Sequence, residues 1–488
     1  MKVLVGYLPL QSKKGIATLG QNRQFQYFSN PTFIFPLVPA TAATLLKEKG
    51  YQVLWKDCVA EQLTDEQFID YLKKEEPDLI AVETKTPVVN KNWETIDKLK
   101  KLFPKIKFVL MGDHVTVFPE ESLENSTVDY VITGGNFDFQ LLDLCNHLKN
   151  NSKLPKGIYY KKNNKITSTG KFELNDDLNT LPFIDRELTR CFKDYQIEYN
   201  IIEKPFAYVL SARDCWWGKC KFCVWNHTLY PTCKMRSPEN MLDEIGMLID
   251  KYQVKEIFDD AGTLPTGKWL RDFCKGMIQR GYHRKIKFSC NMRFGTLKQK
   301  DYNLMKKAGF RLLKFGLESG NQETLDKLDK GISVEDIVQG CTMAKKAGLT
   351  VHLTMIVGYG WETKEQALKT YKLAKMLMHT GKADVLQSTT LVPYPGTPLW
   401  TEAKEQNIFL IDPHDYEKYD MSEIILKTPD MTPEQVKEIC NKIYKIFIHP
   451  RYVLKHLTKI KNIKDVAYTL KGAKAILGHL TDFKNETK

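Results

Sequence analysis

Nine residues constrain this chain more than any other stretch: Cys215-Trp216-Trp217-Gly218-Lys219-Cys220-Lys221-Phe222-Cys223. They follow the apolar run 206–210, where a β-strand would hand over to a loop. Three thiolates spaced C-x4-C-x2-C can hold three irons of a [4Fe–4S] cluster and leave the fourth iron open. The same loop also reads as a zinc knuckle, with Cys233 or His227 as fourth ligand. On either reading a metal-binding loop must sit at the end of a strand, and the scaffold has to present it there.

The remainder of the chain bounds that scaffold. Its 488 residues leave room for two or three domains, and 42% apolar with 27% charged residues is ordinary for a globular protein. No stretch reaches 18 uncharged apolar residues, so no spanning helix is expected. The first residues read as a strand and not as a signal peptide. Eleven cysteines, mostly far apart, suit a reducing cytoplasm better than a disulfide framework. Outside the cluster of three, Cys58, Cys145, Cys274, Cys290, Cys341 and Cys440 read as small buried hydrophobes. The net charge is +13, and residues 441–488 carry eleven Lys or Arg against three acids. Such a tail can meet RNA, an anionic membrane surface or an acidic protein, or simply be a solvated helix face.

Residues 1–150 alternate short apolar runs with helical patterns. Strands are expected at 3–5, 53–55, 79–82, 108–111 and 129–132, and helices at 38–49, 64–74, 93–102 and 139–148. Thr64 and Gln67 form a capping box at the second helix. This rhythm predicts an open parallel sheet of Rossmann type, with ligands at the strand carboxyl ends. Residues 151–204 read as a connector with a hairpin turning at Asn163-Asn164. From 205 to 410 six further βα units follow, with strands at 206–212, 255–258, 286–290, 311–316, 350–357 and 385–391. Six units make a partial TIM-type barrel whose working groups lie at the strand carboxyl ends. Residues 411–488 read as a small basic helical domain, starting a helix at Thr432-Pro433.

Each strand end of the second unit carries a motif. Asp259-Asp260 ends the second strand, and Asn291-Met292-Arg293 the third. Gly316-Leu317-Glu318-Ser319-Gly320 ends the fourth, Gly358-Tyr359-Gly360-Trp361-Glu362-Thr363 the fifth, and Pro393-Tyr394-Pro395-Gly396-Thr397-Pro398-Leu399 follows the sixth. With the three-cysteine loop before them, these resemble the radical S-adenosylmethionine (SAM) superfamily, in its cobalamin-dependent branch. Two departures stand out: the common cysteine spacing is C-x3-C-x2-C, and Gly360 occupies a position where proline is usual. The first 150 residues resemble the cobalamin-binding domain of the same branch. That likeness rests on the proline-rich stretch from Pro31 to Pro39, the Gly50, Val53 and Asp57 step, Gly112-Asp113-His114-Val115-Thr116, and Asp129-Tyr130-Val131-Ile132-Thr133-Gly134. Asp113 replaces a glycine there, and no D-x-H-x-x-G motif offers a histidine to cobalt; His114 reads as a loop or core residue.

The resemblance implies a set of roles. Cys215, Cys220 and Cys223 would ligate the cluster, and SAM would chelate its open iron. The backbone at Phe222 would hold the adenine, Asp259 and Asp260 would face the SAM amine, and Arg293 and Glu318 would grip the methionine carboxylate and the ribose hydroxyls. Gly112 and Gly134 would cradle cobalamin. The implied activity is reductive SAM cleavage to a 5′-deoxyadenosyl radical followed by C-methylation of an unactivated carbon. Cyclisation or rearrangement, or RNA methylthiolation without cobalamin, are the alternatives within the superfamily. A catalytically inactive zinc- or cluster-containing binding module is the alternative outside it. An electron donor such as flavodoxin or ferredoxin is implied as a partner. The substrate is expected to be a small hydrophobic molecule (a lipid, isoprenoid or tetrapyrrole) rather than RNA. A cytoplasmic protein is expected, with peripheral membrane contact through a basic helix carrying Leu457, Ile460, Ile463 and Val466.

Overall fold

The computed structural model describes residues 1–19, 25–28, 32–197, 200–450 and 452. The N-terminal sheet has seven strands: β1 (Lys2–Tyr7), β2 (Gln52–Asp57), β3 (Leu79–Thr84), β4 (Lys107–Gly112), β5 (Tyr130–Ile132), β6 (Ile158–Lys162) and β7 (Lys165–Ser168). Their spatial order is β2-β1-β3-β4-β5-β6-β7. The first five are parallel. β6 and β7 form the expected hairpin and join the edge antiparallel. Its two-residue turn places both Asn163 and Asn164 at positive φ, 52° and 59°, the conformation that keeps a tight hairpin in step with strand twist.

The helices start where the capping residues stand. Thr64 Oγ1 accepts from the Gln67 amide at 3.2 Å while Gln67 Oε1 accepts from the Thr64 amide at 2.9 Å, opening the helix Asp65–Glu75. The helix Val89–Leu102 begins four residues before the expected start, because the 3-10 turn Thr86–Val88 runs straight into it.

The second sheet holds β8 (Phe206–Val209), β9 (Glu256–Asp259), β10 (Lys287–Met292), β11 (Phe310–Glu318), β12 (Thr350–Val357) and β13 (Val385–Thr390). All are parallel and lie in simple chain order. Among the described residues β8 and β13 do not pair, so the six strands form an open partial barrel. Val209, Ile257, Phe288, Leu313, Leu353 and Leu386 point outward and pack under Ile245, Phe273, Met305, Ile337 and Leu377 of the surrounding helices.

The helix Pro433–Tyr444 covers the outer face of β13. Tyr444 Oη donates to the Ser388 carbonyl at 2.8 Å, and Val436, Ile439 and Ile443 join the barrel's own core. The expected helix around Leu457, Ile460, Ile463 and Val466 lies outside the described residues, as does most of the basic stretch.

A second core joins the two sheets. Leu4, Leu8, Ile80, Val82, Trp93 and Val115 of the first share one cluster with Val224, Leu328, Tyr359, Leu391, Tyr394 and Trp400 of the second. The carboxyl ends of the two sheets therefore meet across a common apolar interior.

Candidate active site

The cysteine loop is laced to three segments that follow barrel strands. Trp216 Nε1 donates to the Leu264 carbonyl (3.3 Å), Trp217 Nε1 to the Asp329 carbonyl (2.8 Å) and the Lys221 amide to the Leu328 carbonyl (3.0 Å). Lys221 Nζ also pairs with Glu402 at 2.7 Å. Inside the loop, Asn226 contacts Cys223 Sγ and donates to the Cys215 carbonyl. These bonds fix the backbone despite the extra residue between the first two cysteines.

Burial raises all three thiol pKa values. Cys220 is pushed up to about 11 and Cys223 well above its ordinary value, and in Cys215 the Asp214 carboxylate adds to the effect. The three also act on one another electrostatically, so they share one neighbourhood. Thiols of this kind stay protonated until a metal takes the proton's place.

Among the described residues no three His, Cys, Asp or Glu side chains are gathered to hold a single ion. His227 Nε2 is engaged with the Cys220 carbonyl at 3.2 Å. A cubane takes one thiolate per iron, and a loop that brings one buried and two part-buried thiols against a polar rim fits it.

On the rim, Arg293 lies with its guanidinium carbon 3.9 Å above the Trp217 ring. Its Nη2 donates to the Gly331 carbonyl at 2.8 Å, while Nε and Nη1 are buried without a partner. A buried guanidinium with two unused donors is a socket for an anion. Glu318 follows a register shift in β11 and sits at φ +58°. Its carboxylate accepts from Lys330 Nζ at 2.7 Å, and Lys330 stands 5.9 Å from the Phe222 ring centre. Burial works against the charge on Lys330, but Glu318 and its hydrogen bond outweigh it and hold the ammonium at about 12.

Asp259 accepts from both the Ser211 amide (2.8 Å) and the Ser211 hydroxyl, and Asp214 accepts from the Gly262 amide (2.6 Å). Asp260 completes a group of three buried carboxylates beneath the cysteine loop. Burial raises Asp214 to about 7 and Asp259 to about 6, and mutual repulsion adds to both.

The N-terminal sheet reverses its strand order between β1 and β3, the place where such sheets take ligands. The Tyr7 hydroxyl donates to Glu83 across that crevice, and Lys85 lies 3.9 Å from Asp113. Gly112 has φ +125°, and a Cβ there would lie 2.2 Å from the Thr84 carbonyl oxygen. Thr116 ties the two glycine loops together, donating to the Gly112 carbonyl (2.6 Å) and accepting from the Gly134 amide (3.0 Å). His114 is buried against Trp93, Phe118 and Tyr416, with Nε2 3.6 Å from Glu121. It is a core histidine. Trp225, just after the last cysteine, lies under Lys85, and its indole N–H is buried without an acceptor.

Two segments of the chain match known families: residues 209–374 match the radical SAM superfamily and residues 34–136 the B12 binding domain. The chain carries a radical SAM domain and a B12-binding domain. An uncharacterized methyltransferase of Pyrococcus horikoshii is 28% identical over 467 residues, covering 94% of this chain and 95% of that protein. The anaerobic magnesium-protoporphyrin IX monomethyl ester cyclase of Cereibacter sphaeroides is 27% identical, covering 81% of this chain and 64% of its own. Among solved structures, the radical SAM methyltransferase TsrM from Kitasatospora setae, with cobalamin and a [4Fe-4S] cluster bound, superposes with a TM-score of 0.66 at 15% identity. That match covers 92% of this chain and 89% of TsrM. The cobalamin-dependent radical enzyme OxsB superposes at 0.69 and 17% identity, covering 99% of this chain and 72% of its own. Both likenesses are of fold.

The radical SAM domain thus presents a thiol loop and an anion socket, and the B12-binding domain presents its switch-point crevice with Gly112 and Gly134 at the ends of β4 and β5. The cysteines, Arg293 and Glu318 come together on one rim, and Gly112 and Gly134 share a second. Lys330, Trp225 and the buried pair Asp138–Arg213 were not singled out by the sequence. Each has its partner at least 12 residues away in the chain, and none stands in a motif that would mark it.

Proposed function

We propose that this protein is a cobalamin-dependent radical SAM methyltransferase acting on an unactivated carbon of a small molecule. The observation that carries the reading is that the segments on either side of the cysteines pack against the Gly134-Gly135 loop and the carboxyl end of the B12-binding sheet in one core. When bound, the cluster supplies the electron that splits SAM to a 5′-deoxyadenosyl radical, and the corrinoid supplies the methyl group.

The chain's own residues bind, orient and exclude water. Cys215, Cys220 and Cys223 hold three irons. The two unused donors of Arg293 receive the methionine carboxylate. Glu318 accepts from the ribose hydroxyls, and Lys330, bonded to its carboxylate at 2.7 Å, orients it for that task. The Phe222 backbone meets the adenine, and Asp260 with Asp259 faces the sulfonium end. Gly112 and Gly134 let the corrinoid approach the backbone closely, and no histidine is supplied to its lower face. Trp217, wedged between Arg293 and the exposed Lys219, shields the cluster edge where a donor such as flavodoxin or ferredoxin would dock.

For the substrate, a tetrapyrrole or another small hydrophobic molecule is favoured. Relatives named hopanoid C-3 methylase and bacteriochlorophyllide d C-8(2)-methyltransferase, each 22% identical, support it. Ring closure is the second reading, favoured by the similarity to the magnesium-protoporphyrin cyclase.

Anaerobic purification tests the proposal. The protein should carry about four iron and four sulfide, retain added hydroxocobalamin through gel filtration and form 5′-deoxyadenosine with dithionite. One zinc with no sulfide would refute it. Vesicle flotation and RNA gel shift at physiological salt test the membrane contact through the basic tail against RNA binding.

A further inference from the structure

Arg213 stands two residues before Cys215, and Asp138 lies in the first turn of the helix Phe137–Asn150, directly after the Gly134-Gly135 loop. The two form a bidentate ion pair between the two sheets, Nη2 to Oδ2 at 2.6 Å and Nη1 to Oδ1 at 3.0 Å. Their side chains are 3% and 0% exposed. Arg213 Nη1 also donates to Asn136 Oδ1 at 3.2 Å. Beside this pair the Gly135 amide donates to the Leu229 carbonyl (3.0 Å), and the Tyr230 hydroxyl donates to the Gly135 carbonyl (2.8 Å). A Cβ on Gly135 would lie 2.0 Å from the Tyr230 ring, so only glycine permits this approach.

These contacts are all made to the two segments that flank the cysteines, 213 and 229–230, and to one loop of the B12-binding domain, 135–138. A pair whose job was only to hold two domains together has no need of that location; the apolar core already joins them. Methyl transfer has a sharper requirement. Reacting atoms must approach to about 3–3.5 Å, and a 1 Å misplacement can cost about a hundredfold in rate. When the two reaction partners rest on different sheets, the spacing is set by whatever fixes one sheet against the other at the site itself.

We infer that Asp138 and Arg213, with the Gly135–Tyr230 contact, form a positioning pin that sets the distance between the corrinoid crevice and the SAM site. The pin rests on the two-cofactor reading above. It acts on the step that needs both sites and not on the step that needs one. Reductive SAM cleavage uses the barrel alone. Transfer of the SAM methyl to a bound, reduced corrinoid would use both: the sulfonium C–S bond would break, its electron pair leaving with S-adenosylhomocysteine as the methyl passes to an electron pair of the corrinoid.

The test needs no identified substrate. Holoprotein reduced with titanium(III) citrate is assayed for S-adenosylhomocysteine and for 5′-deoxyadenosine, beside iron content and corrinoid retention. Asp138→Asn keeps the side-chain volume and leaves the Arg213 charge uncompensated. It should lower S-adenosylhomocysteine formation at least tenfold while 5′-deoxyadenosine, iron and corrinoid stay within twofold, and Asp138→Glu should recover most of the loss. In cofactor-free protein the same Asp138→Asn change should speed hydrogen exchange in the segments 134–137 and 228–231. Equal loss of both products, unchanged ratios, or unchanged exchange would overturn the pin. Absence of either product from the unsubstituted protein would strike the two-cofactor reading itself, and the pin with it.

Discussion

The molecule contains two parallel sheets that solve the same problem differently. In the N-terminal sheet the strand order reverses between β1 and β3, and one crevice opens there. In the barrel the six strands follow one another without reversal, so no single crevice is marked and every strand end contributes to one continuous rim. The difference shows in the side chains. Beside the crevice the chain packs closely on itself: a Cβ on Gly112, Gly134 or Gly135 would strike the Thr84 backbone, the Phe172 ring or the Tyr230 ring. The rim is defined by charge: Asp214, Asp259, Arg293, Glu318 and Lys330 are all buried. One is set by close backbone packing at glycines, the other by buried charge.

The comparison is broken most severely at the rim. Replacing Cys215, Cys220 or Cys223 with Ala should abolish both iron binding and 5′-deoxyadenosine formation, because each removes one of three ligands with no substitute. Cys233→Ala should retain both; its Sγ rests against the Asp214 carbonyl at 3.7 Å. Loss of iron in Cys233→Ala would restore the four-ligand reading. Glu318→Gln and Arg293→Met should leave iron content intact and lower SAM cleavage by about 10²-fold, the scale for losing a charge-assisted contact of 2–3 kcal/mol. Arg293 also supports Trp217, so Trp217→Phe is the control: a comparable loss in that variant would assign the effect to loop packing.

The same contrast explains what was legible in the sequence. Rim motifs can be read because each places cysteines, charged residues or a glycine- or proline-rich turn at the end of an apolar run, and six such runs recur in chain order. The crevice was legible only as rhythm, since glycines at 112 and 134 say that space is needed and not what fills it. The order reversal of the N-terminal strands is a long-range fact with no local signal. Partners at long separation were equally hidden. Lys330 sits in an ordinary loop, and nothing near it announces Glu318. Asp138 and Arg213 lie 75 residues apart, and each alone reads as a surface charge. The hairpin at Asn163-Asn164 was legible because its turn is local, but its pairing with β5 was not.

A milder break comes from the crevice. Gly112→Ala must push a methyl into the Thr84 carbonyl from a backbone of φ +125°, so it should destabilise the protein by about 2–3 kcal/mol. It should also weaken corrinoid retention while leaving iron content unchanged. His114→Ala should cost a similar amount through the cavity it leaves yet leave the corrinoid spectrum unchanged, since the imidazole packs against Trp93, Phe118 and Tyr416. A changed spectrum in His114→Ala would make that histidine a cobalt ligand.

The smallest expected effect concerns the barrel's own buried acid. Glu362 is fully buried at the end of β12; one oxygen accepts from the Gly358 amide at 2.7 Å and the other has no partner. Burial raises its pKa from 4.5 to about 7, against the pull of the Gly358 and Tyr359 amides. The folded state therefore holds a proton between those two values that the unfolded chain releases. By linkage, the stability from this group is complete below pH 4.5, falls as pH rises through the window and is level above about 7. The full shift corresponds to about 3 kcal/mol at most, which in a chain of this length is a few degrees of melting temperature. Asp57 and Asp214, raised by burial to about 6 and about 7, act in the same direction, so the dependence will not vanish in a single variant. Glu362→Gln keeps the shape and cannot ionise. It should raise the melting temperature at pH 8 and leave it nearly unchanged at pH 5, narrowing the gap between them; an unaltered gap would mean that Glu362 is ionised in the folded protein.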